Sequence, residues 1–305
     1  MNFVKRILKF FQINVIKERQ FVFPFVPKNK DICNKRRDFL KDFSISPDYH
    51  LSVLAYIDED VGLKGKRILE LGGSNIPREI LFEDFDVKQY VGIDYIESWW
   101  PDPNHKREKI RLLKDLPGVY NAKEPYLIFS GSVNDMPDDF LSDKFDIIIS
   151  FSSIEHFSDI PLMLRKASNV LKKGGYYFAT SEPIWSSGKG HHFWVSPDYN
   201  FQVTNDFDFA HLLYNKTEFL EKFKSRREIN MVAEKIYDWK GINRLFYSDI
   251  EKAVYSSSFS EKVIYPFILQ DPPVNILNAL RAKYGDRVKN DRDFSIRGIQ
   301  WVLEK

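Results

Sequence analysis

The stretch Lys66–Asp94, KRILELGGSNIPREILFEDFDVKQYVGID, decides how the rest of the chain is read. It opens on a short apolar run, Ile68-Leu69-Glu70-Leu71, then meets a glycine pair at Gly72-Gly73 and a helix-compatible segment from Pro77. A second apolar run, Tyr90-Val91-Gly92-Ile93, closes on Asp94. Strand, glycine turn, helix, strand and acid, with about twenty residues from glycines to acid, is the grammar of a nucleotide-binding βαβ unit. The glycines let backbone approach a ligand, and the acid at the second strand's tip accepts hydrogen bonds from ribose hydroxyls.

Working outward, Tyr126–Phe129 reads as a third strand and GSVNDMP, residues 131–137, as a turn. Phe145–Phe151 (FDIIISF) is too continuously apolar for a half-exposed strand and suits the centre of a parallel sheet. Asp159–Leu171 spaces Ile160, Met163, Leu164, Ala167, Val170 and Leu171 along a helical face, Gly174-Gly175 ends it, and Tyr176–Thr180 supplies a fifth strand. The connection after Asp94, which contains WWPDPNHKREK, reads as a long surface loop. Residues 243–257 resemble a helix, and Glu261–Pro266 and Ser295–Leu303 resemble strands. The expected fold is therefore α/β: a Rossmann-like, seven-stranded, mostly parallel sheet with helices on both faces. Residues 1–60 form an N-terminal helical extension, with Ser46-Pro47 starting a helix whose face carries Leu51, Leu54 and Ile57. Residues 61–305 form the main domain, with an inserted lid at about 181–240 after the fifth strand.

A chain of 305 residues buries a full core. Its net charge of +2 argues against general nucleic-acid binding, although residues 1–40 hold ten basic against three acidic residues. Within that arm, Phe3, Val4, Ile7, Leu8, Phe11, Val15 and Ile16 recur at helical spacing between basic residues. Such a helix suits either an anionic membrane surface or packing on its own domain or a partner subunit. Cys33 stands alone, which excludes an internal disulfide framework and a cysteine-cluster metal site. No apolar run approaches the roughly 18 residues of a membrane span, and charges at Lys5, Arg6, Lys9 and Lys17 interrupt any signal-peptide core. The expected location is cytoplasmic.

ILELGGS, GIDYIES, FDIIISFSSIEHFSD and LRKASNVLKKGGYYFAT, in this order and spacing, resemble the class I S-adenosylmethionine-dependent methyltransferases, in the branch known as type 11. The resemblance covers about residues 66–180. It implies S-adenosylmethionine as cofactor and S-adenosylhomocysteine as product. It assigns Glu70, Gly72, Gly73 and Asp94 to cofactor binding, with Ser132, Val133 and Ser150 near the adenine or methionine portion. Two departures stand out. The family's third glycine is replaced within Gly72-Gly73-Ser74-Asn75, and Ser132 stands where the family offers an acid to the adenine, with Asp135 three residues away. A dehydrogenase reading fails because the G-x-G-x-x-G spacing is missing.

The implied chemistry needs a group that removes a proton from the acceptor. Glu182 to Trp194, EPIWSSGKGHHFW, brings His191 and His192 into a glycine-flanked loop at the ligand end of a strand. Either is a candidate base, with His156 of Glu155-His156 in reserve. A backbone-fixing role for any of the three is the competing reading. A metal site would need further ligands, with Glu182, Glu155 or His211 at hand, and no metal is assigned. Trp99, Trp100, Trp185, Trp194 and Tyr199 offer faces for sugar rings or bases, or for core packing or a homodimer contact. Lys189, Arg78 and Arg107 are candidates to meet a phosphate. GHHFW followed by AHLLY is similar to segments in bacterial methyltransferases tied to surface-glycan synthesis. The expected function is O-methylation of a sugar hydroxyl, on a nucleotide-linked sugar or polysaccharide precursor. A lipid, quinone or other metabolite as acceptor, and a non-catalytic binding module of the same fold, stay open.

Overall fold

A computed structural model describes residues 25–43, 45–73, 76–96, 103–115, 124–137, 140, 144–285, 287 and 291–305. The expected helix at 3–16 and the tryptophans at 99 and 100 lie outside them. Five of the seven expected strands form as β1 (Arg67–Leu71), β2 (Gln89–Asp94), β4 (Tyr126–Ser130), β5 (Phe145–Phe151) and β6 (Leu171–Ser181). The other two form as β9 (Glu261–Leu269) and β10 (Ile296–Glu304), separated by an additional helix at Val274–Tyr284. An eighth strand, β3 (Ile110–Leu112), joins the edge from within the connection after Asp94. The sheet order is β3-β4-β2-β1-β5-β6-β10-β9. Every pair from β3 to β6 is parallel, whereas β10 runs antiparallel to both β6 and β9. The result is a mostly parallel Rossmann-like sheet with helices on both faces.

Alternation along the buried strands divides the core. Leu69, Leu71, Val91, Ile93 and Ile148 face the helices Ile160–Val170 and Tyr247–Tyr255. Ile68, Tyr90, Ile147 and Ile149 face the opposite layer, which contains the helix Ser52–Val61. Phe25 is fully buried in that second layer, stacked on Tyr56 at 5.0 Å and edge-on to Phe178 at 5.9 Å. Burying such a side chain contributes about 1.5–3 kcal/mol, so the extended segment before the first described helix is anchored rather than draped. The helix Ile160–Val170 begins where Asp159 accepts the Leu162 N–H at 2.9 Å. It ends at Val170, earlier than the glycine pair suggests. The strand starts at Leu171 and carries Gly174 at φ +72 within it.

After β6 the chain leaves the sheet. A small hairpin, β7 (Trp194–Ser196) with β8 (Tyr199–Asn200), packs with the helices Lys216–Lys222 and Ile229–Ala233 around Phe193, Phe207 and Phe219. No helix among the described residues is long and apolar enough to cross a membrane.

Candidate functional site

The parallel strands end on one side, and their loops open into a single cleft of about 490 Å³. Its centre is where the sheet order turns back, with β2 on one flank of β1 and β5 on the other. Open α/β sheets bind ligands at such a point.

At the end of β1 the chain turns through Gly72 (φ +75) and Gly73 (φ +110). The Gly72 N–H donates to Ile93 O at 2.8 Å, which fixes the turn to β2. A Cβ on Gly72 would lie 2.5 Å from Ser153, and one on Gly73 would lie 2.8 Å from the Glu70 carboxylate. Only glycine fits here, and the bare backbone becomes the floor of the cleft. At the end of β2, Asp94 faces the cleft and accepts the Tyr95 N–H at 2.7 Å, with the Gly73 N–H on the same side favouring its ionised form. Burial pushes this carboxyl above the usual range, while the two N–H donors pull it back.

From β4 come Gly131, Ser132, Val133 and Asn134, and the Ser132 hydroxyl accepts the Asn134 N–H at 3.2 Å. From β5 come Phe151, Ser152 and Ser153. Ser152 holds φ +46, secured by its N–H to Thr180 O at 2.8 Å and by Tyr49 Oη at 3.0 Å from its hydroxyl. His50 closes one wall, edge-on to Phe151 at 5.4 Å. Its Nδ1 accepts the Ser46 N–H at 2.9 Å, so the ring is neutral and Nε2 carries the proton. This bond, rather than the Ser46 side chain, secures the first turn of the Pro47 helix.

His156 borders the cleft next to Phe157 and Gly241. Its Nδ1 lies 2.6 Å from Gly241 O. A carbonyl only accepts, so Nδ1 is the protonated nitrogen and Nε2 of the neutral ring is the acceptor.

Residues 69–179 match a family model described as a methyltransferase domain, and residues 128–247 match a second model of the same description. The chain carries a class I S-adenosylmethionine-dependent methyltransferase domain. It is an enzyme, and S-adenosylmethionine is its cofactor. Among solved structures, a methyltransferase from Mesorhizobium loti matches at 15% identity over 80% of this chain and 92% of that one, with a TM-score of 0.43. Phosphoethanolamine N-methyltransferase 2 of Haemonchus contortus, solved with S-adenosyl-L-methionine, matches at 13% identity over 91% of this chain and 57% of that one, with a TM-score of 0.44. The YcgJ protein of Bacillus subtilis matches at 16% identity over 84% of this chain and 99% of that one, with a TM-score of 0.41. No curated protein matches.

The methyltransferase cleft suits its cofactor in the chemistry of its donor set. Bare glycine backbone lies beside a carboxylate that can take a ribose diol, and Ile93 and Val133 provide apolar walls for a base. Bound there, the cofactor supplies an activated methyl group on a sulfonium.

Of the residues singled out from sequence, Gly72, Gly73, Asp94, Ser132, Val133 and His156 line this cleft together. Four others do not. Glu70 is buried beneath the glycine turn and receives the Tyr90 hydroxyl. Ser150 is fully buried and spends its hydroxyl on Leu71 O at 2.7 Å. His191 is buried against Phe193 and His211, at 5.1 and 5.3 Å, and burial lowers its pKa strongly. His192 lies behind His156, their ring centroids 5.8 Å apart, and its Nε2 donates to Pro183 O.

The phosphate candidates are committed elsewhere. Arg78 makes a two-bond pair with Glu108, Arg107 pairs with Glu79, and Lys189 pairs with Asp208 at 2.9 Å. The sequence reading missed His50, Tyr95, Ser152, Ser153, Phe157 and Gly241. The two serines had one usable signal, their place directly after a central strand.

Proposed function

We propose that the enzyme transfers the methyl group to a hydroxyl of a neutral, sugar-like acceptor, with His156 receiving the hydroxyl proton. One observation carries this reading: His156 borders the cleft with Nδ1–H spent on Gly241 O, which leaves Nε2 as the basic nitrogen. In-line transfer from an activated sulfonium needs orientation first and proton removal second. No lysine or arginine lines the cleft among the described residues, which disfavours a phosphate or carboxylate at the reacting end. Tyr95, Phe151 and Phe157 supply faces for a ring, and Ser152 and Ser158 supply hydroxyls. The segment after β6, which contributes Gly241, would form the acceptor-side lid.

Labelled methyl transfer to a panel of neutral sugars, sugar phosphates, amines and lipids tests the acceptor. Neutral hydroxyl acceptors should be favoured, and exclusive labelling of amines would contradict the reading. His156→Ala should lower turnover by about 10²–10⁴-fold while cofactor affinity, measured by titration calorimetry, stays near wild type. Equal loss of cofactor binding would remove His156 from the base role.

A further inference from the structure

We propose that Glu155, His156 and His192 form a divalent-cation site beside the cleft, of the three-ligand kind that zinc takes with one position left for a substrate oxygen. That the open position belongs to the acceptor hydroxyl rests on the reading above. The site itself does not.

One ligand atom from each of the three residues lies within 4.8 Å of the other two. Zinc at 2.0–2.2 Å from three such atoms holds them about 3.4 Å apart, so loading requires the side chains to close by no more than about 1.5 Å. Both imidazoles already commit one ring N–H to a backbone carbonyl. His156 gives Nδ1–H to Gly241 O, and His192 gives Nε2–H to Pro183 O. Metal-bound histidines are held in this manner, with one ring N–H on a carbonyl or carboxylate and the other nitrogen presented to the ion. The acceptor nitrogens are therefore His156 Nε2 and His192 Nδ1.

The third member is harder to explain without a cation. Glu155 is 2% exposed. The Ser181 hydroxyl donates to its carboxylate and accepts the Glu155 N–H at 3.3 Å. No lysine or arginine pairs with it among the described residues. A buried carboxylate is costly unless donors or a positive charge compensate it. The His192 backbone is left-handed at φ +51, a constraint that any variant at this position has to respect.

Two imidazoles and a carboxylate suit zinc or a similar first-row ion rather than calcium or magnesium. A hydroxyl oxygen at the fourth position would lose its proton more readily. The S–C bond then breaks as the O–C bond forms, the electron pair stays on sulfur to leave a neutral thioether, and the proton passes to water. His156 acts as a ligand in that state, and as the proton acceptor only without the ion.

The test uses the full chain stripped with EDTA and titrated with zinc by calorimetry and with cobalt(II) by visible absorption. The expected result is one ion per chain, with binding weakened by at least about 10–100-fold, the cost of losing even an outer partner, in Glu155→Gln and in His192→Asn, since asparagine tolerates the left-handed backbone. No binding, or equal binding in both folded variants, would overturn the site. Turnover should fall at least tenfold on stripping and return with zinc, and full turnover of the stripped enzyme would overturn the ion's catalytic use. Titration of S-adenosylmethionine into the stripped chain separates the two proposals. If cofactor binds while no ion does, this inference alone falls, whereas absent cofactor binding would strike the reading above.

Discussion

His156 gives its Nδ1 proton to the carbonyl of Gly241, 2.6 Å away and 85 residues downstream. A ring on the loop after β5 is thus aimed by the end of the segment that follows β6. A Cβ on Gly241 would lie 2.2 Å from the Trp239 indole, so Gly241→Ala must displace either the indole or the carbonyl. Misplacement by about 1 Å can cost about 10²-fold in rate. Turnover should therefore fall by at least about tenfold, with a smaller change in cofactor affinity. Steady-state kinetics beside calorimetry reads this split, and unchanged turnover would show that the carbonyl does not orient the ring.

Asp94 should govern cofactor affinity. A hydrogen bond to a charged group contributes about 1.5–3 kcal/mol, so Asp94→Asn should weaken S-adenosylmethionine binding by about 10–150-fold and leave the fold intact. The pH dependence has a defined sign. The ionised carboxylate is the form that accepts from a diol, and its pKa is raised by burial. Affinity should therefore be full well above the raised pKa and decline as pH falls through it, earlier than an exposed aspartate would allow. Calorimetry from pH 8 down to pH 4.5 checks this, and a flat profile would place the diol elsewhere.

Tyr90 and Glu70 form the support beneath the glycine turn. The Tyr90 hydroxyl donates to the buried carboxylate, whose other oxygen stands where a Cβ of Gly73 would need to be. Tyr90 also stacks on Tyr126 at 5.0 Å, packing that phenylalanine would keep. Tyr90→Phe should then cost about 1–3 kcal/mol of stability through the lost donor alone. A urea-unfolding cycle with Glu70→Gln tests the coupling. If the double variant costs the sum of the singles, the two groups do not act as a pair.

The βαβ unit was legible because strand patterning and glycine restriction are local properties. Gly72, Gly73 and Asp94 sit at strand ends wherever the helices go. Polar residues inside buried strands are harder to place from sequence. Glu70 and Ser150 look like ligand contacts in sequence but serve Tyr90 and Leu71 O. His191 and His192 are adjacent, and nothing in their order shows that one would enter the Phe193 cluster while a left-handed turn sends the other toward His156. The eighth strand, Ile110-Arg111-Leu112, is half-buried and too short for any alternation to register. His50 reaches the cleft through a tertiary contact with Phe151, which no spacing encodes.

His211 gives the most direct test of how firmly the segment after β6 is packed. Its Nε2–H donates to Trp185 O at 2.7 Å, and its Nδ1 has no hydrogen-bond partner among the described residues. Burial, with Arg244 and Lys283 opposing a further positive charge, lowers its pKa to about 3. In the unfolded chain the same ring titrates near ~6.5. Between those values the unfolded state binds a proton that the folded state refuses. The stabilisation is full above the unfolded pKa and is lost progressively as pH falls toward the folded one. The slope is about 1.4 kcal/mol per pH unit. His211→Gln preserves a donor toward Trp185 O and removes the titration. It should be less stable than wild type at pH 7.5, yet lose stability less steeply between pH 6 and pH 4.5. Parallel urea-unfolding slopes for the two proteins would mean that the imidazole meets solvent and that this part of the chain opens readily.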